Sequence, residues 1–177
     1  TPTACPDSAG ATTDSHTTTY GALGAFSTGI GATEMAAVWA SGELWMKVPR
    51  TFRFNLTGKL EGPVVAKDVI LHLIGKMGAD GCDYRCTEFV GPVVDAMSVS
   101  GRMTMCNMSM EMGAKAGVTF PDDKTKDYLK GRTSKAWEPV LTDKDAEIEK
   151  VFDMDLTGLS PQVAYPHSVD NVKPVEE

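Results

Sequence analysis

The chain switches repeatedly between two hydrophobic periods, and that switching restricts its fold more than any other feature. In TFRFNLTGKL, Phe52, Phe54 and Leu56 alternate with Arg53 and Asn55, the period-two pattern of a strand with one buried face. A few residues later, AKDVILHLIGKMG places Val69, Ile70, Leu73, Ile74 and Met77 on one helical stripe that Gly78 stops. YRCTEFVG reads as a second strand, and a methionine-rich helix covers roughly residues 102–115. VTF then leads into a short helix at DDKTKDYLKGR, closed by Gly131. IEKVFDMDL, with Ile148, Phe152, Met154 and Leu156 at even positions, predicts another strand. Strands alternating with helices imply a layered α/β architecture.

Upstream, TEMAAVWASGELW predicts a helix with Thr33 as its N-cap. It follows a segment crowded with Gly21, Gly24, Gly29 and Gly31, and the small residues are expected to let this helix approach other backbone closely. Residues 1–13 carry no apolar period and read as loop. Residues 133–147 read as a polar connection, and SPQVAYPHSVDNVKPVEE, with three prolines, as extended loop.

At 177 residues the chain suits one domain or two small ones. A formal charge of -7 excludes a general nucleic-acid binder, which requires a concentrated basic face. No apolar run reaches the length of a membrane span. The start, TPTACPDSAG, lacks the basic and apolar regions of a signal peptide. With Thr at position 1, it is expected to be a processed end or the beginning of an excised piece. Cys5, Cys82, Cys86 and Cys106 form no C-x-x-C pair and no zinc-type spacing with histidine. That pattern points to reduced thiols in a cytoplasmic protein, with no metal held by this chain.

Two stretches carry candidate chemistry. Asp14-Ser15-His16 holds the residue types of a nucleophilic triad, but a triad needs members that converge through two hydrogen bonds. In extended backbone, Asp14 and His16 share a face and Ser15 points the opposite way. Two readings stay open: a polar turn capped by Asp14, or an acid–imidazole pair and a hydroxyl presented to a ligand. In GRMTMCNMSMEMGAKAG, Asn107, Glu111 and Lys115 fall at i, i+4 and i+8 on a helix whose other faces are rich in methionine. Glu111 is then either ion-paired with Lys115 on a solvated stripe or a buried carboxylate facing a polar site. His72 lies within the apolar VILHLIG and reads as a core or partly buried histidine. His167, with Ser168, Asp170 and Asn171, lies on a loop that is either a ligand contact or a polar turn.

The stretches DSHTTTYGALGAFSTGIGATEMA, ELWMKVP, LTGKL, AKDVIL, GRMTMCNMSMEMGAKAG and PHSVDNVKPVEE stand in the order in which the aconitase superfamily carries them. Within it, the chain most resembles the branch of 3-isopropylmalate dehydratase and homoaconitase large subunits. The likeness runs from Thr13 to Glu177. Residues 1–12 lack the apolar strand and glycine by which the family enters D-S-H-T. Val169 replaces the usual proline of H-S-P-D-N.

The resemblance implies an aconitase-like, partial α/β/α fold and a hydro-lyase acting on a hydroxy-acid substrate together with a small, swivelling subunit. It implies isomerisation of isopropylmalate in leucine biosynthesis, with homoaconitase-type chemistry of lysine biosynthesis or a non-catalytic scaffold as alternatives. By the same resemblance, Asp14, His16 and Glu111 are catalytic, and Ser15, Thr17 and Asn107 bind substrate. A [4Fe-4S] cluster is implied as cofactor. The family's cluster cysteines lie beyond the equivalent of Glu177, so this chain is expected to hold no cluster ligand and to be inactive alone. The implied organisation is an irregular segment at 1–12, part of a first domain at 13–50, a second domain at 51–157 and a linker at 158–177.

Overall fold

A computed structural model describes residues 5–177. Its centre is a four-stranded, all-parallel sheet built from β3 (Thr51–Thr57), β4 (Cys86–Val90), β5 (Ala116–Thr119) and β6 (Ile148–Asp155), in the order β5-β4-β3-β6. The period-two segments supply its core face. Phe54 lies opposite Phe89 on one side and Phe152 on the other, and its ring stacks on Phe152 at 4.9 Å. Onto that face pack α2 (Ala66–Met77) and α4 (Val99–Met108). Val69, Ile70, Leu73 and Ile74 of the predicted stripe are fully buried. At about 25 cal/mol per Å² of apolar surface, each such side chain contributes roughly 1.5–3 kcal/mol.

The opposite face is polar. Arg53 Nε donates to Glu88 Oε2 at 2.7 Å, and Thr142 Oγ1 donates to Glu88 Oε1 at 2.6 Å. Glu88 is almost fully buried, so these two bonds supply the partners that a buried carboxylate requires. Thr142 belongs to the connection 133–147, which thereby forms part of the covering on this side. The short α3 (Pro92–Ala96) and α5 (Asp123–Leu129) complete the helices around the sheet.

Three local expectations are corrected. Ala9–Thr12, read as loop, forms β1, which pairs in parallel with β2 (Phe26–Gly29); Thr1–Thr3 and Ala4 lie outside the described residues. The small residues of AGAT give no hydrophobic alternation, so only the partner strand reveals β1. The helix from Ala32 (α1, Ala32–Ser41) begins one residue ahead of Thr33, after Gly31, and the Glu34 carboxylate accepts the Gly31 N–H at 2.7 Å. α1 buries no residue, and close backbone approach occurs instead at Gly21, where a Cβ would lie 1.6 Å from the Gly117 carbonyl oxygen.

The third correction concerns the C-terminal segment. Residues 158–177 contain β7 (Gln162–Ala164) and β8 (Val172–Pro174), paired antiparallel and docked on α2. Asp68 accepts the Gln162 N–H at 2.8 Å, and Asp170 accepts the Ala79 N–H at 3.2 Å. The loop holding His167 resolves as a polar turn between these strands, with Ser168 bonded to Asp170 and His167 exposed. His72 is partly buried, and burial, then nearby Lys76, holds its pKa below the usual histidine value.

Candidate functional site

The site lies where the β1–β2 pair ends. β1 runs through Thr12 and turns at Thr13–Asp14 into a 3-10 segment, Ser15–Leu23. Asp14 caps it, its Oδ1 accepting the His16 N–H at 2.8 Å. His16 sits in a kink with φ -88° and ψ 17°, the bridge region in which site residues recur. The neighbouring strand delivers Gly29, where a Cβ would lie 2.8 Å from the Asp14 carbonyl oxygen and 2.9 Å from Ser15 Cα. A side chain there would push the loop away, so this contact requires glycine.

The backbone is turned rather than extended, which overturns the expected separation of Ser15 from His16. Ser15 Oγ is 3.0 Å from His16 Nδ1. The other imidazole nitrogen, Nε2, is 3.1 Å from Glu111 Oε1, a contact between residues 95 apart in sequence. An ionised carboxylate only accepts, so the Nε2 facing Glu111 carries the proton. Nδ1 of the neutral ring then accepts from the Ser15 hydroxyl, and it donates there when the ring is charged. The result is a hydroxyl–imidazole–carboxylate line. Asp14 Oδ1 stands 4.0 Å from Nδ1 and holds the ring mainly through the His16 backbone.

Glu111 reaches His16 because the methionine-rich helix is shorter than expected. α4 ends at Met108 and tightens into a 3-10 turn over Ser109–Met112, and Gly113 follows in the left-handed conformation. This breaks the i, i+4, i+8 line of Asn107, Glu111 and Lys115. Glu111 is partly exposed and faces His16, and the Glu111–Lys115 ion pair does not form. Lys115 Nζ donates instead to the Gly29 carbonyl at 3.1 Å.

Asn107, on the last turn of α4, donates Nδ2 to Thr19 Oγ1 at 2.9 Å, while Thr18 Oγ1 donates to the Asn107 carbonyl at 3.3 Å. Asn107 therefore fastens the loop to α4 and keeps its side-chain oxygen for another partner. Thr17 is buried; its hydroxyl bonds the Asp14 carbonyl and Thr12 Oγ1, both at 2.5 Å. Asp14, Ser15, His16, Asn107 and Glu111 thus come together at one surface, with Thr17 beneath them. Sequence reasoning passed over Thr19 as well as the bond from Lys115 to Gly29. For Thr19 the available signal is its place as the third consecutive threonine after Asp14-Ser15-His16.

The cysteines form no cluster-binding set. Among the described residues, no group of three or more His, Cys, Asp and Glu side chains comes together to hold a metal ion. All four thiols are free and buried. Burial pushes Cys82 up to about 11 and Cys86 up to about 12, and raises Cys106 further still. With no three such side chains gathered at one point among the described residues, these thiols do not offer the thiolate set that an iron–sulfur cluster needs.

Comparison with known proteins adds a second line of observation. A family model described as "Aconitase family (aconitate hydratase)" matches residues 2–177, taking in the N-terminal residues that the motif resemblance left out. The chain is 56% identical over 165 residues to the "Probable 3-isopropylmalate dehydratase large subunit" of Methanothermobacter thermautotrophicus, covering 93% of this chain and 39% of that protein. It is 54% identical over 164 residues to the "Probable methanogen homoaconitase large subunit" of Methanosarcina mazei, covering 93% and 42%. It is also 54% identical over 164 residues to "3-isopropylmalate dehydratase large subunit 1" of Methanopyrus kandleri, covering 93% and 39%. The chain spans about two-fifths of the length of these relatives.

Proposed function

The chain belongs to the aconitase family, and from that premise we propose that it forms the substrate-side wall of a hydro-lyase. The reaction is the interconversion of 2- and 3-isopropylmalate by dehydration and rehydration, as in leucine biosynthesis. The observation that carries this reading is the line from Ser15 through His16 to Glu111, assembled from two distant segments. Loss of water from a hydroxy acid requires a proton for the departing hydroxyl, and an imidazole between a hydroxyl and a carboxylate can hold and return one. In this reading His16 and Glu111 exchange that proton, and Asp14 fixes the ring. Ser15 and the free oxygen of Asn107 hydrogen-bond substrate. Thr17, proposed from the sequence as a substrate contact, contributes by tying the loop beneath them.

The family implies a [4Fe-4S] cluster, but the cysteines of this chain do not fit one. We therefore assign its ligands outside residues 1–177 and derive no step through it. The same reading gives the chain a small-subunit partner, the divisions 13–50 and 51–157 as parts of two domains, and a cytoplasmic setting, where its free thiols stay reduced. No helix among the described residues is long and apolar enough to cross a membrane.

Replacing the matching segment of the Methanothermobacter large subunit with this chain, alongside its small subunit, provides the test. Ultraviolet absorbance follows formation of the unsaturated diacid from 3-isopropylmalate. His16→Asn and Glu111→Gln are each expected to lower kcat about a hundredfold or more, in the range of a lost acid–base group. Full activity in both variants refutes the assignment, and an inactive chimera that assembles normally favours the scaffold alternative. The homoaconitase-named relative of similar identity makes homocitrate the second substrate to try.

A further inference from the structure

Lys115 stands out among the charged groups around the site. Arg53, Arg85 and Arg102 each meet a carboxylate, at 2.7, 2.7 and 2.5 Å. Lys115 is half-buried, yet among the described residues no carboxylate lies within 4.0 Å of its ammonium. The partner that helical spacing offered, Glu111, is turned to His16. Of the three donors on Nζ, one is used, on the Gly29 carbonyl.

The position of this cation is firmly held. The Lys115 backbone N–H donates to the Arg85 carbonyl at 2.8 Å, and Nζ lies 5.7 Å from the centre of the Tyr84 ring. Tyr84 has φ 54°, the single positive φ outside glycine among the described residues. Such a conformation is strained for a residue with a Cβ and persists where surrounding contacts impose it. The Tyr84 hydroxyl donates to the Lys47 carbonyl at 3.2 Å, and its backbone N–H donates to the Gly113 carbonyl at 3.0 Å.

Lys115 also faces the right space. A cleft of about 330 Å³ is lined by Ser15, Gly29, Gly31, Met110 and Lys115, with Glu34 as its other charged group. The strand that accepts the Lys115 bond is the one packed on Asp14 and Ser15. A hydroxy diacid entering here meets the Glu34 carboxylate, so its own negative charge needs a fixed cation.

Resting on the hydro-lyase reading above, we propose that Lys115 is a substrate-binding, specificity-determining residue that takes the second carboxylate of a hydroxy dicarboxylic acid, the one a hydroxy monoacid lacks, in the cleft beside Ser15. The Gly29 carbonyl and the Tyr84 ring hold the ammonium in place, and its two remaining N–H donors face the ligand. Discrimination then falls between diacids and the corresponding hydroxy monoacids.

The test uses the 177-residue chain, its fold checked by circular dichroism, with binding measured by NMR titration. The probes are 3-isopropylmalate and 2-hydroxy-4-methylpentanoate, which lacks one carboxylate. The wild-type chain is expected to bind the diacid about tenfold more tightly, as a charge-assisted contact gives. Lys115→Met should erase that preference and leave monoacid binding unchanged, and Lys115→Arg should retain it. Should Lys115→Met unfold, acetylation of the wild-type chain decides: saturating diacid should shield Lys115 from acetylation and leave exposed Lys67 unprotected. An intact preference in folded Lys115→Met, or undiminished Lys115 labelling, overturns the role of Lys115 and leaves the hydro-lyase reading standing. A folded wild-type chain that binds neither acid overturns both.

Discussion

Replacing Gly21 with alanine should open the seam on which the site is assembled. A Cβ at Gly21 would lie 1.6 Å from the Gly117 carbonyl oxygen, whereas ordinary contact begins near 3.4 Å. One of the two backbones must therefore retreat by about 1.8 Å. Neither can do so by a rotamer change, because the obstacle is main chain in the sheet strand β5. Overpacking of this kind costs typically 1–3 kcal/mol, and the absence of a yielding side chain sets the expectation at about 3 kcal/mol. For a chain of this length that lowers Tm by about 6–12 °C. Thermal unfolding followed by circular dichroism measures it, with Gly10→Ala as control, since nothing lies within 4 Å of a Cβ there. The retreat also displaces the segment carrying His16 and Thr19, so imidazole nitrogen NMR should register loss of the contact with Glu111. A Gly21→Ala chain melting within about 2 °C of wild type, with that signal intact, refutes the claim that this close approach positions the loop.

Arg102 is 1% exposed and bonded to Asp122 and to the carbonyls of Val94, Asp95 and Phe120. Arg102→Met strands these acceptors and should cost about 3 kcal/mol, read from urea unfolding. Burial pushes the Asp122 carboxyl up, but the bond from Arg102 and the Thr125 N–H outweigh it and hold the pKa below the usual carboxylate value. Its contribution to stability is therefore present above the unfolded value near 3.8 and lost as pH falls through the lower folded one. Asp122→Asn should lower stability at neutral pH and flatten that acid limb in urea midpoints measured from pH 7 down to about pH 2. With Cys82 and Cys86 pushed up to about 11 and about 12, the native chain should react slowly with an aromatic disulfide at pH 8, and all four thiols rapidly in guanidinium. Rapid native reaction of Cys86 contradicts its burial.

The elements legible in the sequence are those whose pattern is local. Phe52, Phe54 and Leu56 announce β3, and the stripe from Val69 to Met77 announces α2, because each buries the face its own period marks. β1 and the β7–β8 pair lack such a face, and their identity as strands comes from a partner elsewhere in the chain. The candidate site divides in the same way. Asp14, His16 and Glu111 were nameable from motif resemblance, but their connection was not. Helical spacing left Glu111 open to Lys115 or to a polar site, and the tightening of the chain at Ser109 with a left-handed Gly113 turned Glu111 to His16 and Lys115 to Gly29. A one-turn change of helix type is beyond what periodicity can show.

α1 stands apart energetically from the rest of the fold. Its ten residues bury no side chain, and Trp39 is 83% exposed, so tertiary packing adds little to its stability. Helices shorter than about 12–15 residues are marginal in water when they rely on propensity and caps. In the free chain, α1 is then a helix–coil equilibrium attached to a stable sheet. Its amides should exchange with solvent at nearly unprotected rates while those of β3 and α2 wait for global unfolding. With Trp45 and Trp137 replaced by phenylalanine, Trp39 reports that equilibrium by fluorescence, and any surface that closes over α1 must supply the free energy its own sequence leaves out.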